Sequence, residues 1–249
     1  FTAMDSSDLQ QISRLELLYL RPGSDLITKP DSQKLSNCLL QCSQLAEFVH
    51  SPWELDLRYL TTLATLPHLE SLILALVDDD SLVLTDLAPI LGSFSGISTL
   101  DLDWDVSPSV SPAVTHALVS LTQLQALTIR SYPWSSPGTL AAFCGGIGQL
   151  ATLTHLELLS FPLLDASEEC DFPEVFGNQL VRLTQLTFLA LRNAKTQQWR
   201  PLIHAIAKLT ALTCLDLQGS PVAADLENLN LLWQVLPQNL QRLHMLQTK

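Results

Sequence analysis

A short apolar phrase recurs nine times along this chain and constrains its fold more than any other feature. The phrase has the form apolar-x-x-apolar-x-apolar, as in "LTALTCLDL", "LTQLTFLAL" and "LATLTHLEL", and successive copies are 24 to 33 residues apart. A repeat of roughly 20–50 residues is typical of a solenoid. The first anchors of the phrase are Ile12, Leu45, Leu69, Ile97, Leu124, Leu153, Leu186, Leu212 and Leu240, and the second are Leu15, Phe48, Leu72, Leu100, Leu127, Leu156, Leu189, Leu215 and Leu243.

The apolar spacing changes within each unit of the repeat. Upstream of the phrase the apolar residues are three and four apart, as in Leu140, Phe143, Ile147 and Leu150, whereas the anchors at the end of each phrase alternate with other residues. The first spacing predicts a helix and the second a short strand. One strand–helix unit cannot cover its own apolar face, so we expect the units to stack and share a continuous core.

These nine phrases resemble leucine-rich repeats, and the match extends from about Leu9 to the end of the chain. Unit length and the predicted helix are similar to the longer, ribonuclease-inhibitor-like repeats. The resemblance implies an α/β horseshoe of about nine strand–helix units, with parallel strands on the concave face and helices on the convex face.

The chain departs from that family at one position. The family usually places Asn or Cys five residues after the second anchor, where the side chain satisfies backbone groups of the turn. Because those polar groups must still be paired when buried, we expect other hydrogen bonds to replace the missing ladder. The residues at this position are Leu20, Trp53, Val77, Asp105, Tyr132, Phe161, Ala194, Ser220 and Thr248.

The repeat predicts one domain over residues 4–249. The opening Phe1-Thr2-Ala3 is typical of a cloning remnant ahead of Met4. Solenoids normally carry polar caps on their terminal units, and neither end of the pattern shows one. This predicts a fragment of a longer protein or end-to-end association.

Charge is distributed unevenly along the chain. Residues 59–181 hold fourteen acids and one base, Arg130, whereas the remainder holds eleven acids and twelve bases. A phosphate backbone would be repelled by the middle of the chain, which disfavours a nucleic-acid partner. The same charge favours a protein partner with a basic surface.

The cysteines and the hydropathy indicate a compartment. Five cysteines at uneven spacing predict free thiols in a reducing, cytoplasmic setting. No apolar run reaches the roughly 18 residues that a membrane span needs, and no secretory leader is evident. We therefore expect a cytoplasmic protein without a membrane partner.

No sequence pattern points to catalysis, a metal or another cofactor. The chain has no nucleophile elbow, phosphate-binding Gly-rich loop or zinc-protease motif, and its histidines are scattered. The glycines of "FCGGIGQL" coincide with a predicted helix, which we expect them to loosen or break.

Residues between and after the anchors should face the concave surface, because side chains alternate along a strand. We expect this surface to bind a partner protein over the units anchored by Leu100, Leu127 and Leu156, with aromatic and arginine side chains contributing most. The candidate residues are Asp101, Asp103, Trp104, Asp105, Arg130, Tyr132, Trp134, His155, Glu157, Phe161, Phe188 and Arg192. The alternative for Trp104, Tyr132 and Trp134 is that they fold down and cap the strand ends as part of the core.

The sequence thus favours a non-catalytic protein-binding module or scaffold. Three narrower roles stay open: the recognition arm of a ubiquitin-ligase complex, a pathogen effector that binds a host protein, and a protein that inhibits or regulates an enzyme.

Overall fold

The computed structural model describes residues 6–17, 32–53, 57–76, 84–104, 112–130, 137–159, 172–194, 196 and 198–245. Nine parallel strands form one open sheet, and their order in the sheet is their order in the chain. The strands are β1 (Arg14–Leu17), β2 (Glu47–Trp53), β3 (Ser71–Leu76), β4 (Thr99–Trp104), β5 (Ala126–Arg130), β6 (His155–Leu159), β7 (Phe188–Arg192), β8 (Cys214–Asp216) and β9 (Arg242–His244).

Helices alternate with the strands and pack on one another in sequence from α2 to α9. A short 3₁₀ helix, Pro221–Ala223, precedes the last of them. The helices are α1 (Ser6–Leu9), α2 (Ser32–Leu39), α3 (Leu57–Leu63), α4 (Leu84–Gly92), α5 (Pro112–Ser120), α6 (Pro137–Ile147), α7 (Phe172–Leu180), α8 (Arg200–Ile206) and α9 (Leu226–Val235).

The strand registers confirm the predicted α/β solenoid. Each strand aligns its second anchor with that of the next strand, so one leucine column crosses the sheet. Packed helix axes lie about 8–10 Å apart and paired strands about 4.8 Å apart. Stacked strand–helix units must therefore curve with the sheet on the inside, which makes the exposed sheet face concave. The column from β3 to β8 is Leu72, Leu100, Leu127, Leu156, Leu189 and Leu215.

The anchors form the core, as predicted, except at the two ends. Second anchors from Phe48 to Leu215 are fully buried. In the end units, Ile12, Leu240 and Leu243 are only partly buried and pack against the core from one side. The end units therefore contribute less buried apolar area, and less stability, than the central ones.

The prediction that glycines break the helix of "FCGGIGQL" is wrong. Helix α6 continues through Gly145 and Gly146 to Ile147. A Cβ atom on Gly146 would lie 2.3 Å from the Thr115 side chain of α5. A side chain at this position would have to displace the Thr115 methyl group, so glycine suits the close packing of α5 and α6, and that packing offsets its poor helix propensity.

One hydroxyl replaces the missing ladder between β7 and β8. Ser220 is buried, and its Oγ accepts a hydrogen bond from the Ala194 N–H at 3.1 Å and donates one to the Leu191 carbonyl at 2.7 Å. Ala194 and Ser220 each lie five residues after a second anchor. The hydrogen bonds that replace the ladder are therefore made at the position where leucine-rich repeats usually have Asn or Cys. Gly219 precedes Ser220 with a φ of 71°, a left-handed conformation that suits glycine.

A second set of hydroxyls links the units just before the strands. Each donates to a carbonyl of the preceding unit and is at least partly exposed. The bonds are Ser98 to Glu70, Thr154 to Gln125, Thr187 to Thr154 and Thr213 to Thr187.

We predict that Ser220→Ala lowers the free energy of unfolding by about 1–3 kcal/mol, because it leaves the buried Ala194 N–H without an acceptor. Thr213→Ala removes a hydroxyl whose carbonyl partner keeps other hydrogen-bond donors, and it should cost about 0.5 kcal/mol or less. Urea unfolding of both variants measures the difference. Equal losses would show that Ser220 is not the substitute for the ladder.

A neutral histidine is built into the N-terminal part of the core. His50 on β2 is 3% exposed, and its ring stacks on Tyr59 with the ring centroids 5.8 Å apart. Its Nδ1 atom has no hydrogen-bond partner among the described residues. Burial lowers the pKa of His50 to about 4, although a hydrogen bond with the Ala75 backbone opposes the shift.

The folded protein therefore favours neutral His50, and stability is lost as pH falls from the ordinary pKa of 6.5 toward 4. Between about pH 7 and pH 5 we expect His50 to account for a loss of about 2 kcal/mol in unfolding free energy. Denaturant unfolding at both pH values should show this loss in the parent and in the exposed-site control His68→Gln, but not in His50→Phe. An identical pH dependence in all three proteins would contradict the assignment.

Candidate functional site

Three rows of side chains cross the concave face from β4 to β8. The first row is Thr99, Ala126, His155, Phe188 and Cys214, and the second is Asp101, Thr128, Glu157, Ala190 and Asp216. The third row contains Asp103, which lies opposite Arg130 in the strand register, and Leu159, which lies opposite Arg192. Alternation along each strand forces these residues outward whenever the anchors point into the core.

At the β4–β5 boundary the second and third rows are joined by an ion pair. Arg130 donates from Nε to Asp101 Oδ1 at 3.1 Å and from Nη2 to Asp101 Oδ2 at 2.8 Å. This two-bond arrangement orients the guanidinium plane more firmly than a single contact would. It raises the pKa of Arg130 through the hydrogen bond to Asp101.

From β6 to β8 a second arginine bridges two carboxylates. Arg192 Nη1 lies 2.9 Å from Glu157 Oε1, and Arg192 Nε lies 2.8 Å from Asp216 Oδ2. The Asp216 side chain is 1% exposed and also accepts a hydrogen bond from the Gln218 N–H at 3.0 Å. Together with the first pair, this gives a charge row, consisting of Asp101, Arg130, Glu157, Arg192 and Asp216.

Glu157 is held in its ionised form by its neighbours. Its contact with the His155 imidazole lowers the pKa of Glu157, and the nearby guanidinium groups of Arg192 and Arg130 add to the shift. The row thus keeps alternating fixed charges at neutral pH. Fixed charges of this kind can recognise complementary groups on another molecule.

An aromatic pair lies next to the charge row. The rings of His155 and Phe188 stack with centroids 3.9 Å apart and planes 3° from parallel, and both side chains remain partly exposed. Each ring restricts the other, so little side-chain freedom is left to lose when a partner covers them. The concave face of β6 and β7 therefore offers two stacked aromatic rings beside fixed charges.

The structure brings seven of the twelve predicted site residues onto this surface, and five are not described in the detail that the prediction needs. Trp104 ends β4, but the position of its side chain is not described. The other four lie outside the described residues. The seven are Asp101, Asp103, Arg130, His155, Glu157, Phe188 and Arg192; the four are Asp105, Tyr132, Trp134 and Phe161.

Sequence reasoning missed Asp216, although a signal for it existed. Asp101, Glu157 and Asp216 each follow a second anchor by one residue, so all three belong to the same row. The acidic middle was also judged from residue counts alone. On the described concave rows of β4 to β8, four acids accompany two arginines, and ion pairs join the arginines to Asp101, Glu157 and Asp216. The local negative field is therefore weaker than the counts imply.

The part of the chain that the structure describes contains neither a metal-binding cluster nor a membrane-spanning helix. No group of three or more His, Cys, Asp or Glu residues there is arranged to hold a metal ion. None of the described helices has the length and apolar character needed to cross a bilayer. Four of the described cysteines are free, namely Cys38, Cys42, Cys144 and Cys214. Cys170 lies outside the described ranges.

No family model matches the sequence, and no curated protein matches it. Among solved structures, an internalin C2 from Listeria monocytogenes is similar in fold. The sequences are 18% identical, the match covers 98% of this chain and 84% of the internalin, and the TM-score is 0.49. The fold assignment therefore rests on the chain's own strand order and register.

We predict that Arg192→Gln lowers the unfolding free energy by roughly 2–3 kcal/mol, because it leaves the carboxylate of Asp216 buried without its guanidinium partner. Arg130→Gln is the matched control. It breaks a more exposed pair and should cost about 1 kcal/mol or less. Urea unfolding at neutral pH compares the two, and a larger loss in Arg130→Gln would contradict the assigned burial of Asp216.

Proposed function

We propose that this protein is a non-catalytic binding module whose concave sheet face docks a partner protein. The observation that supports this most directly is the rigid aromatic pair beside a pre-oriented charge row. Hot spots of interfaces are typically aromatic and arginine side chains surrounded by contacts that exclude water. A standard interface covers roughly 800 Å² on each partner, and nine strands extend about 40 Å across the sheet, so the face is large enough.

The partner we propose carries a basic surface complementary to the acidic middle of the chain. Asp103 adds a carboxylate at the edge of the charge row, and the acids of the row accept further donors through their remaining lone pairs. Complementary charge of this kind acts mainly on the association rate. Nucleic acid and membrane are not proposed as partners, because anionic surfaces would be repelled. We also propose a reducing, cytoplasmic compartment, on the grounds of the odd number and uneven spacing of the cysteines.

We predict that Phe188→Ala weakens binding of such a partner by about 2 kcal/mol, chiefly through faster dissociation, because it removes the aromatic platform. Trp233→Ala is the matched control: Trp233 is 58% exposed on α9, away from the sheet. Both variants and the parent can be immobilised side by side and exposed to one cell extract, with the captured proteins compared by quantitative mass spectrometry.

A genuine partner is retained by the parent and by Trp233→Ala and is depleted on Phe188→Ala. Its association with Asp103→Asn, followed by surface plasmon resonance, should be slower than with the parent and less sensitive to salt. Proteins retained equally by all the variants would show that the concave face is not the binding surface.

A further inference from the structure

A second recessed surface lies on the helical side of the solenoid, between α7 and α8. It is a groove with a volume of about 300 Å³. Its lining combines small and apolar residues with charged ones, and it shares no residue with the concave rows. The residues that line this convex groove are Glu174, Gly177, Asn178, Val181, Arg200, Pro201, His204, Ala205 and Lys208.

The base of the groove lies where α7 and α8 pack closely against each other. A Cβ atom on Gly177 would lie 3.1 Å from the Pro201 carbonyl oxygen and 3.5 Å from the Ala205 side chain. Val181, half-buried, continues this apolar surface just beyond the end of α7. An apolar floor of this kind accommodates an aliphatic group of a ligand and gains from its burial.

One wall of the groove is basic. Arg200, His204 and Lys208 follow one another at intervals of four residues along α8 and the turn after it, and all three are exposed. Residues four apart lie on the same side of a helix, so the three side chains form one row. Arg200 pairs with Glu227 of α9. Among the residues that the structure describes, His204 and Lys208 have no ion-pair partner.

The opposite wall carries a single charge of the other sign. Glu174, exposed in the first turn of α7, faces the same groove. An anionic ligand would be attracted to the α8 wall and repelled by Glu174. Removing a charge from the α8 wall should therefore lower the affinity for an anionic ligand, and removing the charge of Glu174 should raise it. A purely structural role for these exposed residues would not produce opposite changes in affinity.

We propose that the convex groove binds an acidic segment of a partner protein, with carboxylates along the α8 wall and an aliphatic residue on the floor. The net charge of −12 comes from residues 59–181, so an acidic segment would be repelled by the middle of the chain and not by the part that holds α8. The cations of the α8 wall attract such a segment, and the repulsion from the acidic middle of the chain makes its binding specific for the groove.

The test uses a short fluorescein-labelled peptide of alternating glutamate and alanine, and a matched peptide with glutamine in place of glutamate. Fluorescence anisotropy at low and at physiological salt should show binding of the glutamate peptide alone, weakening as salt rises. Lys208→Gln should weaken binding roughly two- to fivefold, and Glu174→Gln should strengthen it by a similar factor. Glu227→Gln, which releases Arg200, should also strengthen it.

Lys34→Gln, on the distant helix α2, is the matched control and should leave the affinity of the peptide unchanged. Equal binding of the two peptides, or Lys208→Gln and Glu174→Gln changing affinity in the same direction, would overturn the proposal. So would sedimentation showing that Lys208→Glu abolishes self-association of the parent, because a second copy would then be the occupant. None of these measurements depends on the concave face. The proposal for the convex groove and the proposal for the concave face can therefore fail separately.

Discussion

Each strand–helix unit exposes apolar surface that only the next unit can cover, and the rest of this structure depends on that constraint. Second anchors such as Leu100 and Leu127 are buried because their neighbours in the column lie directly beside them at strand spacing. Stability is then shared between adjacent units rather than held in one central core. The partly buried anchors Ile12 and Leu243 show what happens where a neighbour is present on one side only.

The solenoid could be predicted from sequence because its cause is periodic. Spacings of three and four, followed by two, specify helix and strand locally, and their recurrence specifies stacking. The behaviour of Gly146 could not be predicted, because helix propensity describes one helix and the outcome depends on Thr115 of its neighbour. Ser220 shows the same limit: the sequence shows that the ladder is absent, but only the fold shows which backbone groups the hydroxyl reaches.

The concave surface was predictable by position and less so by charge. Alternation places Asp101, Glu157 and Arg192 on the face that the anchors do not use. Whether two opposite charges pair depends on the register between strands and on rotamers, which a count along the chain does not contain. Arg130 and Arg192 reach acids on neighbouring strands and join into a row what the sequence presents as separate residues. The excess of acidic residues in the middle of the chain therefore does not describe this surface, on which charges of opposite sign alternate.

Such pairing changes how a partner can be recognised. An unpaired acidic surface attracts any cation, whereas a charge row with its guanidinium groups already oriented favours only a surface whose own charges match its sequence of signs. Burial of Asp216 strengthens this selectivity. If Arg192 turned to a competing carboxylate, the charge of Asp216 would stay buried without its guanidinium partner, which is unfavourable. The arginine is thereby committed to its position before any partner arrives. Under the proposed function, a partner would meet the row as it stands, and we infer that the adjacent rings of His155 and Phe188 would supply affinity and the order of the charges selectivity.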